Sequence, residues 1–81
     1  MPVVLRIRGY RFLFFSNEGD PREPTHVHVR KGEKVAKIWL EPKIQLAEAY
    51  RMNSRELRKL VELVEIHEET IRRAWHRHFG E

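Results

Sequence analysis

His26 and His28 are the side chains whose type and spacing most directly indicate chemistry. They lie two residues apart within residues 25–31, so an extended strand would project both imidazoles from one face. Histidine can act as a general acid or base near neutral pH, and the nearby cations Arg30 and Lys37 could stabilise the charge of a phosphorane. The pattern is therefore consistent with a metal-independent ribonuclease in which His26 and His28 are the catalytic candidates.

A His-x-His pair also occurs in zinc sites, but zinc needs a third protein ligand and usually an outer shell of hydrogen bonds. The spacing of the sequence fixes no third ligand among the remaining candidates, which are Glu18, Asp20, His76 and His78. We therefore expect no metal site and no other cofactor.

The same strand face also suits binding without catalysis. Trp39 offers a flat ring on which a base can stack, while Arg30 and Lys37 offer cations for phosphates. A third interpretation is structural, with His26 stacked on Trp39 and His28 holding the preceding loop. The residue types leave catalysis, binding and structure open. The candidate binding residues are His26, His28, Arg30, Lys37 and Trp39.

A hairpin centred on Gly32-Glu33 would position these side chains. Glycine at the first position of a two-residue loop is typical of a type II′ turn. The resulting register pairs Val29–Ala36, Val27–Ile38 and Thr25–Leu40 on one face, and Arg30–Val35, His28–Lys37 and His26–Trp39 on the other. Because one register sorts both strands, we expect the polar and aromatic residues to share a face opposite the aliphatic ones.

Residues 3–15 predict a first hairpin in the same sheet. A two-residue loop at Arg8-Gly9 suits a type I′ turn, because glycine tolerates positive φ. The expected pairs are Ile7–Tyr10, Leu5–Phe12 and Val3–Phe14. The other face then carries Val4, Leu13 and Phe15. That face is too apolar for open water, so we expect a helix edge, residues 44–50 or a second chain to cover it.

From residue 54 the apolar pattern changes to a helical period. Asn53 offers an N-cap and Glu56 has the spacing of a capping box, while Gly80 stands where a helix commonly ends. The apolar stripe comprises Leu57, Leu60, Val61, Val64, Ile71, Ala74, Trp75 and His78. It weakens at His67-Glu68. A straight helix over residues 54–79 would be about 39 Å long, so it overhangs a four-stranded sheet about 15 Å wide unless it bends or meets a partner.

Together these elements predict a single α+β domain over residues 1–81. An antiparallel β-meander of two hairpins occupies residues 3–40, a connection residues 41–53, and one long C-terminal α-helix residues 54–79, packed on one face of the sheet. Residues 44–50 fit either a short edge strand or a helical turn, and the sequence does not decide between them.

The composition places this domain in solution. The 81 residues are 41% hydrophobic and 35% charged, which predicts one domain with a modest core. The absence of cysteine excludes a disulfide and a thiolate zinc site. No apolar run approaches the roughly 20 residues that span a bilayer, so we expect a cytoplasmic protein with no membrane contact. The net charge of +4 is compatible with nucleic acid without requiring it.

The chain resembles the prokaryotic domain-of-unknown-function family 4160 over residues 2–80. The matching segments are VVLRIRGYRFLFFSNE, PTHVHVRKGEKVAKIWLEP, LAEAY and ELRKLVELVEIHEETIRRAWHRHF. The most specific parts are Ser16-Asn17-Glu18, His26-x-His28-Val29 and Trp75-x-x-x-Phe79. The resemblance implies a small cytoplasmic protein of a prokaryote, encoded beside a second short protein in a toxin–antitoxin-like or regulatory pair. It carries no established catalytic residues.

Three functions from different classes follow. The first is an interaction module that binds a protein partner or a second copy of itself. The second is a nucleic-acid-binding regulator, and the third a small ribonuclease, both acting through the His26 and His28 face. We prefer the first, because the resemblance and the surplus apolar face both indicate a partner.

Overall fold

The computed structural model describes residues 3–15 and 23–80, which form one antiparallel sheet and two helices. The elements are β1 (Val3–Ile7), β2 (Tyr10–Leu13), β3 (His26–Lys31), β4 (Lys34–Trp39), β5 (Gln45–Tyr50), α1 (Ser54–Ile66) and α2 (Glu68–Phe79). The strands pair in chain order from β1 to β5. The predicted α+β meander is confirmed, with a fifth strand added to the two hairpins.

The turn between β1 and β2 has the predicted form. Arg8 and Gly9 have φ angles of 53° and 83°, and a type I′ turn requires positive φ at both positions. The expected pairs Ile7–Tyr10 and Leu5–Phe12 are confirmed. The turn therefore sets the register of this hairpin for its first few residues.

Farther from this turn the predicted register is wrong. A bulge between Val3 and Leu5 shifts the pairing, so Val3 lies opposite Leu13 and not opposite Phe14. A bulge adds one unpaired residue to a strand and turns the side chains around it. Val4 consequently packs against the core cluster. The prediction that Val4 lies on the other face of the sheet is wrong.

The hairpin of β3 and β4 has the predicted register throughout. The observed pairs include His26–Trp39, Val27–Ile38, His28–Lys37, Val29–Ala36 and Arg30–Val35. The backbone N–H of Leu40 donates to the carbonyl of Thr25 at 2.8 Å, which continues the pairing beyond the strand ends. Gly32 has a φ of 60°, as the first position of a type II′ turn requires.

Residues 44–50, which the sequence left open, lie mostly in β5. This strand pairs with β4 along its whole length and carries a bulge beside Ile38. It is the last strand of the sheet, and most of its residues are exposed. The sheet is therefore about one strand wider than predicted.

The predicted single helix is divided in two at His67. This residue has φ −104° and ψ 19°, outside the helical range, although its N–H still donates to the carbonyl of Leu63 at 3.0 Å. The break coincides with the weak point of the apolar stripe. The longest dimension of the molecule is 33 Å, which is shorter than the length of about 39 Å expected of a straight helix. The break therefore lets the two helices follow the sheet within that length. His78, predicted in the stripe, is exposed.

Both helices pack on the same side of the sheet. Phe12, Val27, Val29 and Ile38 are fully buried beneath them. The cluster also includes Phe14, Ala36, Leu40, Leu60, Leu63, Val64, Ile71 and Trp75. No helix in residues 3–15 and 23–80 combines the length and apolar character needed to cross a membrane.

We call the opposite side of the sheet the open face. Its residues follow from the strand register and are Val3, Arg6, Arg11, Leu13, His26, His28, Arg30, Val35, Lys37, Trp39, Gln45, Glu48 and Tyr50. The ring of His26, at the start of β3, also contacts Trp75 of α2. The surplus of uncovered apolar side chains predicted for β2 is not found. Leu13 is only 3% exposed, and Phe15, which follows the strand, stacks on His28.

Candidate binding surface

The hairpin of β3 and β4 brings the five predicted binding residues to the open face. His26, His28 and Arg30 alternate along β3, and Lys37 and Trp39 lie opposite the two histidines on β4. Side chains of directly paired residues project from the same side of an antiparallel sheet. The prediction that these five residues share a face is confirmed, and the contacts of each one decide what it can do.

His26 is enclosed. Its side chain is 0% exposed, and Nδ1 lies 2.8 Å from the carbonyl oxygen of Pro24. The ring centroids of Trp39 and Trp75 lie 5.3 Å and 5.2 Å from that of the imidazole, both in edge-to-face geometry. A general acid or base must come within hydrogen-bonding distance of its substrate. This enclosure favours the structural interpretation of His26 over the catalytic one.

His28 is half-buried beneath an aromatic ring. Phe15 stacks on its imidazole with a centroid distance of 4.0 Å and an interplanar angle of 28°. The imidazole rings of His28 and His26 meet in edge-to-face geometry, with their centroids 5.2 Å apart. One face of the imidazole is thus covered by apolar surface, and the contact holds the ring of Phe15 against the open face.

Lys37 and Trp39 interact mainly with each other. The Lys37 Nζ lies 4.4 Å from the centroid of the Trp39 ring and 3.2 Å from the Oε1 of Glu23. The side chain of Lys37 is only 15% exposed. A cation held over an indole and paired with a carboxylate is already neutralised. The role predicted for Lys37, a contact to phosphate, would require these bonds to break.

Three arginines, Arg6, Arg11 and Arg30, form a row across the open face, which we call the arginine row. Of these, only Arg30 was among the predicted binding residues. Arg6 on β1 pairs with Arg11 on β2, and Arg11 pairs with Arg30 on β3. Within residues 3–15 and 23–80 none of the three forms an ion pair. Like charges directly opposite each other destabilise a sheet. Among the described residues this row is therefore a positively charged feature of the open face without an ion-pair partner.

An open groove of about 280 Å³ lies beside the arginine row. Arg30, Val35 and Lys37 contribute to it from the central strands, and the rings of Phe15 and Tyr50 line it as well. Tyr50 is 53% exposed. The groove therefore combines cationic and aromatic surface, which is the combination expected of the candidate site, although the aromatic residues are not the predicted ones.

The outer edge of the sheet at β5 is a second feature. In the described part of the chain, no strand pairs with the side of β5 that faces away from β4. Of its six residues only Glu48 is charged, and Leu46 and Tyr50 are 40% and 53% exposed. Unpaired backbone along a strand with little charge is a template for another strand.

No metal centre forms among the described residues. Neither the two histidines of β3 nor any other His, Asp and Glu side chains within residues 3–15 and 23–80 gather in a group of three. His76 and His78 are exposed on α2. Glu18 and Asp20 lie outside the described residues, as do Ser16 and Asn17 of the specific motif.

The clear pKa shifts among the described residues lie away from the open face. Burial, with the hydrogen bond from its hydroxyl to Glu56, raises the pKa of Tyr10 to about 12. Hydrogen bonds from Tyr10 and from Lys34, the latter at 3.0 Å, lower the pKa of Glu56. This network joins β2 and β4 to the start of α1, so its role is structural.

Arg72 makes a second structural connection. Its guanidinium donates to Glu68 and Glu41 at 2.8 Å and to the carbonyl of Leu40 at 3.0 Å. Burial lowers the pKa of Arg72, but the hydrogen bonds to the two carboxylates outweigh it and raise the pKa overall. The contacts bind α2 to the chain that leaves β4.

Comparison with known proteins gives a family and no described relative. The family described as "Domain of unknown function (DUF4160)" matches residues 9–76, which include β2 to β5, α1 and most of α2. No curated protein and no solved structure matches the chain. The match covers the whole candidate surface except Arg6.

Proposed function

The chain belongs to the DUF4160 family, and we propose that it is a small interaction module that binds a protein partner through the exposed edge of β5. The observation that carries this proposal is an edge strand of six residues with one charge and two exposed large side chains, Leu46 and Tyr50. The partner would add an extended segment to the sheet, where main-chain hydrogen bonds supply affinity.

The two edges of the sheet carry similar charges but differ in the regularity of their pairing. Natural proteins protect edge strands with charges, prolines, bulges or a covering helix. At the β1 edge, Arg6 lies within the strand, Arg8 follows it and a bulge interrupts the pairing, and at the β5 edge Glu48 and Arg51 occupy the corresponding places. At the β5 edge the bulge lies near the start of the strand, and residues 48–50 pair regularly with β4. The β5 edge is therefore the better site for a partner.

The side chains of β5 indicate what the partner would offer. Ala47 and Ala49 leave room for larger residues, and Leu46 and Tyr50 provide apolar contact area. Each large side chain gains roughly 1.5–3 kcal/mol when it is fully buried. Leu46 pairs with Ile38 on the helix side and Tyr50 pairs with Val35 on the open face. An extended partner segment would therefore need apolar residues on both of its faces to contact both side chains.

The family resemblance implies that a second short protein is encoded beside this one, which agrees with this proposal. The partner would be the short protein encoded beside this one, and the two would form a toxin–antitoxin-like or regulatory pair in the cytoplasm of a prokaryote. The ribonuclease alternative has less support, because His26 is fully buried and His28 is covered by Phe15. A binding function requires neither histidine to reach a substrate.

Co-expression with the protein of the adjacent gene tests the proposal. Tagged full-length chain should co-purify that protein in a fixed ratio, and Leu46→Lys should abolish the complex, because a lysine on an edge opposes strand addition. Ile66→Lys is the matched control, since Ile66 is 72% exposed and belongs to α1 and not to the edge strand.

Two outcomes would change the conclusion. Equal recovery of the partner with both variants would show that the β5 edge is not the interface. A dimer of the chain alone in light scattering, converted to a monomer by Leu46→Lys, would identify a second copy as the partner.

A further inference from the structure

The arginine row places three cations at a regular spacing across adjacent strands. Arg6, Arg11 and Arg30 lie side by side on three adjacent strands, so their Cα positions span roughly 10 Å at about 4.8 Å per strand. Arg6 and Arg11 are exposed and Arg30 is half-buried. The row therefore presents three permanently charged guanidinium groups to one side of the molecule.

The same row ends in an aromatic side chain. Arg30 pairs with Val35 on β4, and Val35 pairs with Tyr50 on β5. From β1 to β5 the row thus reads as three cations, an apolar residue and an exposed ring. The groove of about 280 Å³ is lined by the last three of these residues.

The net positive charge of the described residues lies mainly on the strands, whereas acidic and basic residues nearly balance on the helices. The strands of the open face carry one carboxylate among the described residues, Glu48. Several acidic residues lie instead on the helices, where Glu56, Glu68 and Glu69 form ion pairs with basic neighbours. A polyanion that approaches the molecule is therefore attracted to the open face.

We propose that Arg6, Arg11 and Arg30 bind the phosphates of a single-stranded nucleic acid while Tyr50 stacks on one of its bases. Guanidinium groups match phosphate oxygens in bidentate geometry. An aromatic ring beside a cationic track is the arrangement that binds single strands without reading their sequence. An acidic protein segment would use the cations but would leave Tyr50 without a base.

This activity goes beyond the proposed function, because it uses the arginine row on the open face, and Tyr50 is the one residue that the two sites share. It also differs from the site expected from the sequence. His26 is buried and Lys37 is paired with Glu23, so neither is needed for the proposed contact. Arg30 is the one member of the expected set that the row retains.

Fluorescence anisotropy with a labelled 12-nucleotide oligo(U) tests the proposal on the full chain. The affinity should fall with salt, because each neutralised phosphate releases counterions. Arg11→Gln should weaken binding and make the salt slope less steep by nearly one. Tyr50→Ala should weaken binding at least about fivefold without changing that slope. Arg58→Gln is the control with the same change of charge, since Arg58 is exposed on α1.

Three results would overturn the proposal. The first is no change in anisotropy at about 50 mM salt with the unaltered chain. The second is equal weakening by Arg11→Gln and Arg58→Gln, which would reflect net charge alone. The third is a labelled 12-residue oligoglutamate that binds as tightly as oligo(U), which would assign the row to an acidic protein segment. Thermal melts by circular dichroism verify that each variant is folded.

Discussion

Glu56 shows how a single residue joins the two layers of the molecule. Its backbone N–H donates to the Oδ1 of Asn53 at 2.8 Å, which caps α1 as the sequence predicts. Its carboxylate accepts hydrogen bonds from Tyr10 and Lys34, on β2 and β4. The same carboxylate also accepts a hydrogen bond from the backbone N–H of Asn53, so the predicted capping box is formed. The cap could be predicted because it is local, whereas the contacts to the sheet depend on tertiary structure.

The raised pKa of Tyr10 makes stability depend on alkaline pH. Burial and Glu56 raise this pKa from 10.0 to about 12. The unfolded chain therefore releases the phenolic proton first, and stability present below pH 10 is lost as the pH rises toward 12. We expect Tyr10→Phe to remove this part of the loss in urea denaturation between pH 9 and 12.

Tyr50→Phe is the matched control for that measurement, because it removes an exposed phenol from the open face. It should retain the alkaline loss that depends on Tyr10. A Tyr10→Phe variant whose stability declines as steeply as that of the unaltered chain would contradict the expected role of the Tyr10–Glu56 hydrogen bond.

At the scale of elements, local patterns predicted the hairpin of β3 and β4 and could not predict its neighbours. The Gly32 turn and the alternation of residues on both sides fix one register. The pairing of β2 with β3 spans residues 16–22 and depends on which edge the second hairpin joins. Arg11 and Arg30 therefore become neighbours only in the folded sheet, so the arginine row had no sequence signal beyond the local pair Arg6–Arg11.

The division of the helix at His67 separates two isoleucines by environment. Ile66 is 72% exposed at the end of α1, and Ile71 is fully buried in α2. We expect Ile71→Ala to lower the free energy of unfolding by about 2–5 kcal/mol, because it leaves a cavity in the core. Ile66→Ala should change it by no more than about 0.5 kcal/mol.

Urea denaturation of the two alanine variants makes this comparison with the same chemical change at both sites. Equal effects would show that the break at His67 does not turn Ile66 away from the sheet. The periodicity of the sequence already indicated a difference, because Ile71 falls in the predicted stripe and Ile66 does not. The angle between the helices could not be predicted from it.

At the scale of the whole molecule, the excess of positive charge on the sheet should appear in the salt dependence of stability. Arg11 lies between Arg6 and Arg30, so its charge is repelled from both sides. We expect Arg11→Gln to raise the free energy of unfolding by about 0.2–1 kcal/mol at low salt. The gain should shrink near 0.15 M salt, where the Debye length is about 8 Å.

Arg58→Gln, on the other layer, should show no such gain at low salt. A gain as large as that of Arg11→Gln would attribute the effect to the net charge of +4 and not to the row. A stabilising loss of a surface charge is also typical of residues retained for binding and not for the fold.

The order of the strands has a consequence for the folding of the chain during its synthesis on the ribosome. Each strand pairs with the one made just before it, from β1 to β5, and the two helices follow. The sheet can therefore assemble while synthesis continues, yet its aliphatic side has no cover until α1 and α2 emerge. During that interval Val27, Val29 and Ile38 are available to any chaperone or neighbouring chain. The nascent protein is therefore most prone to aggregation until α2 has left the exit tunnel and can cover these side chains.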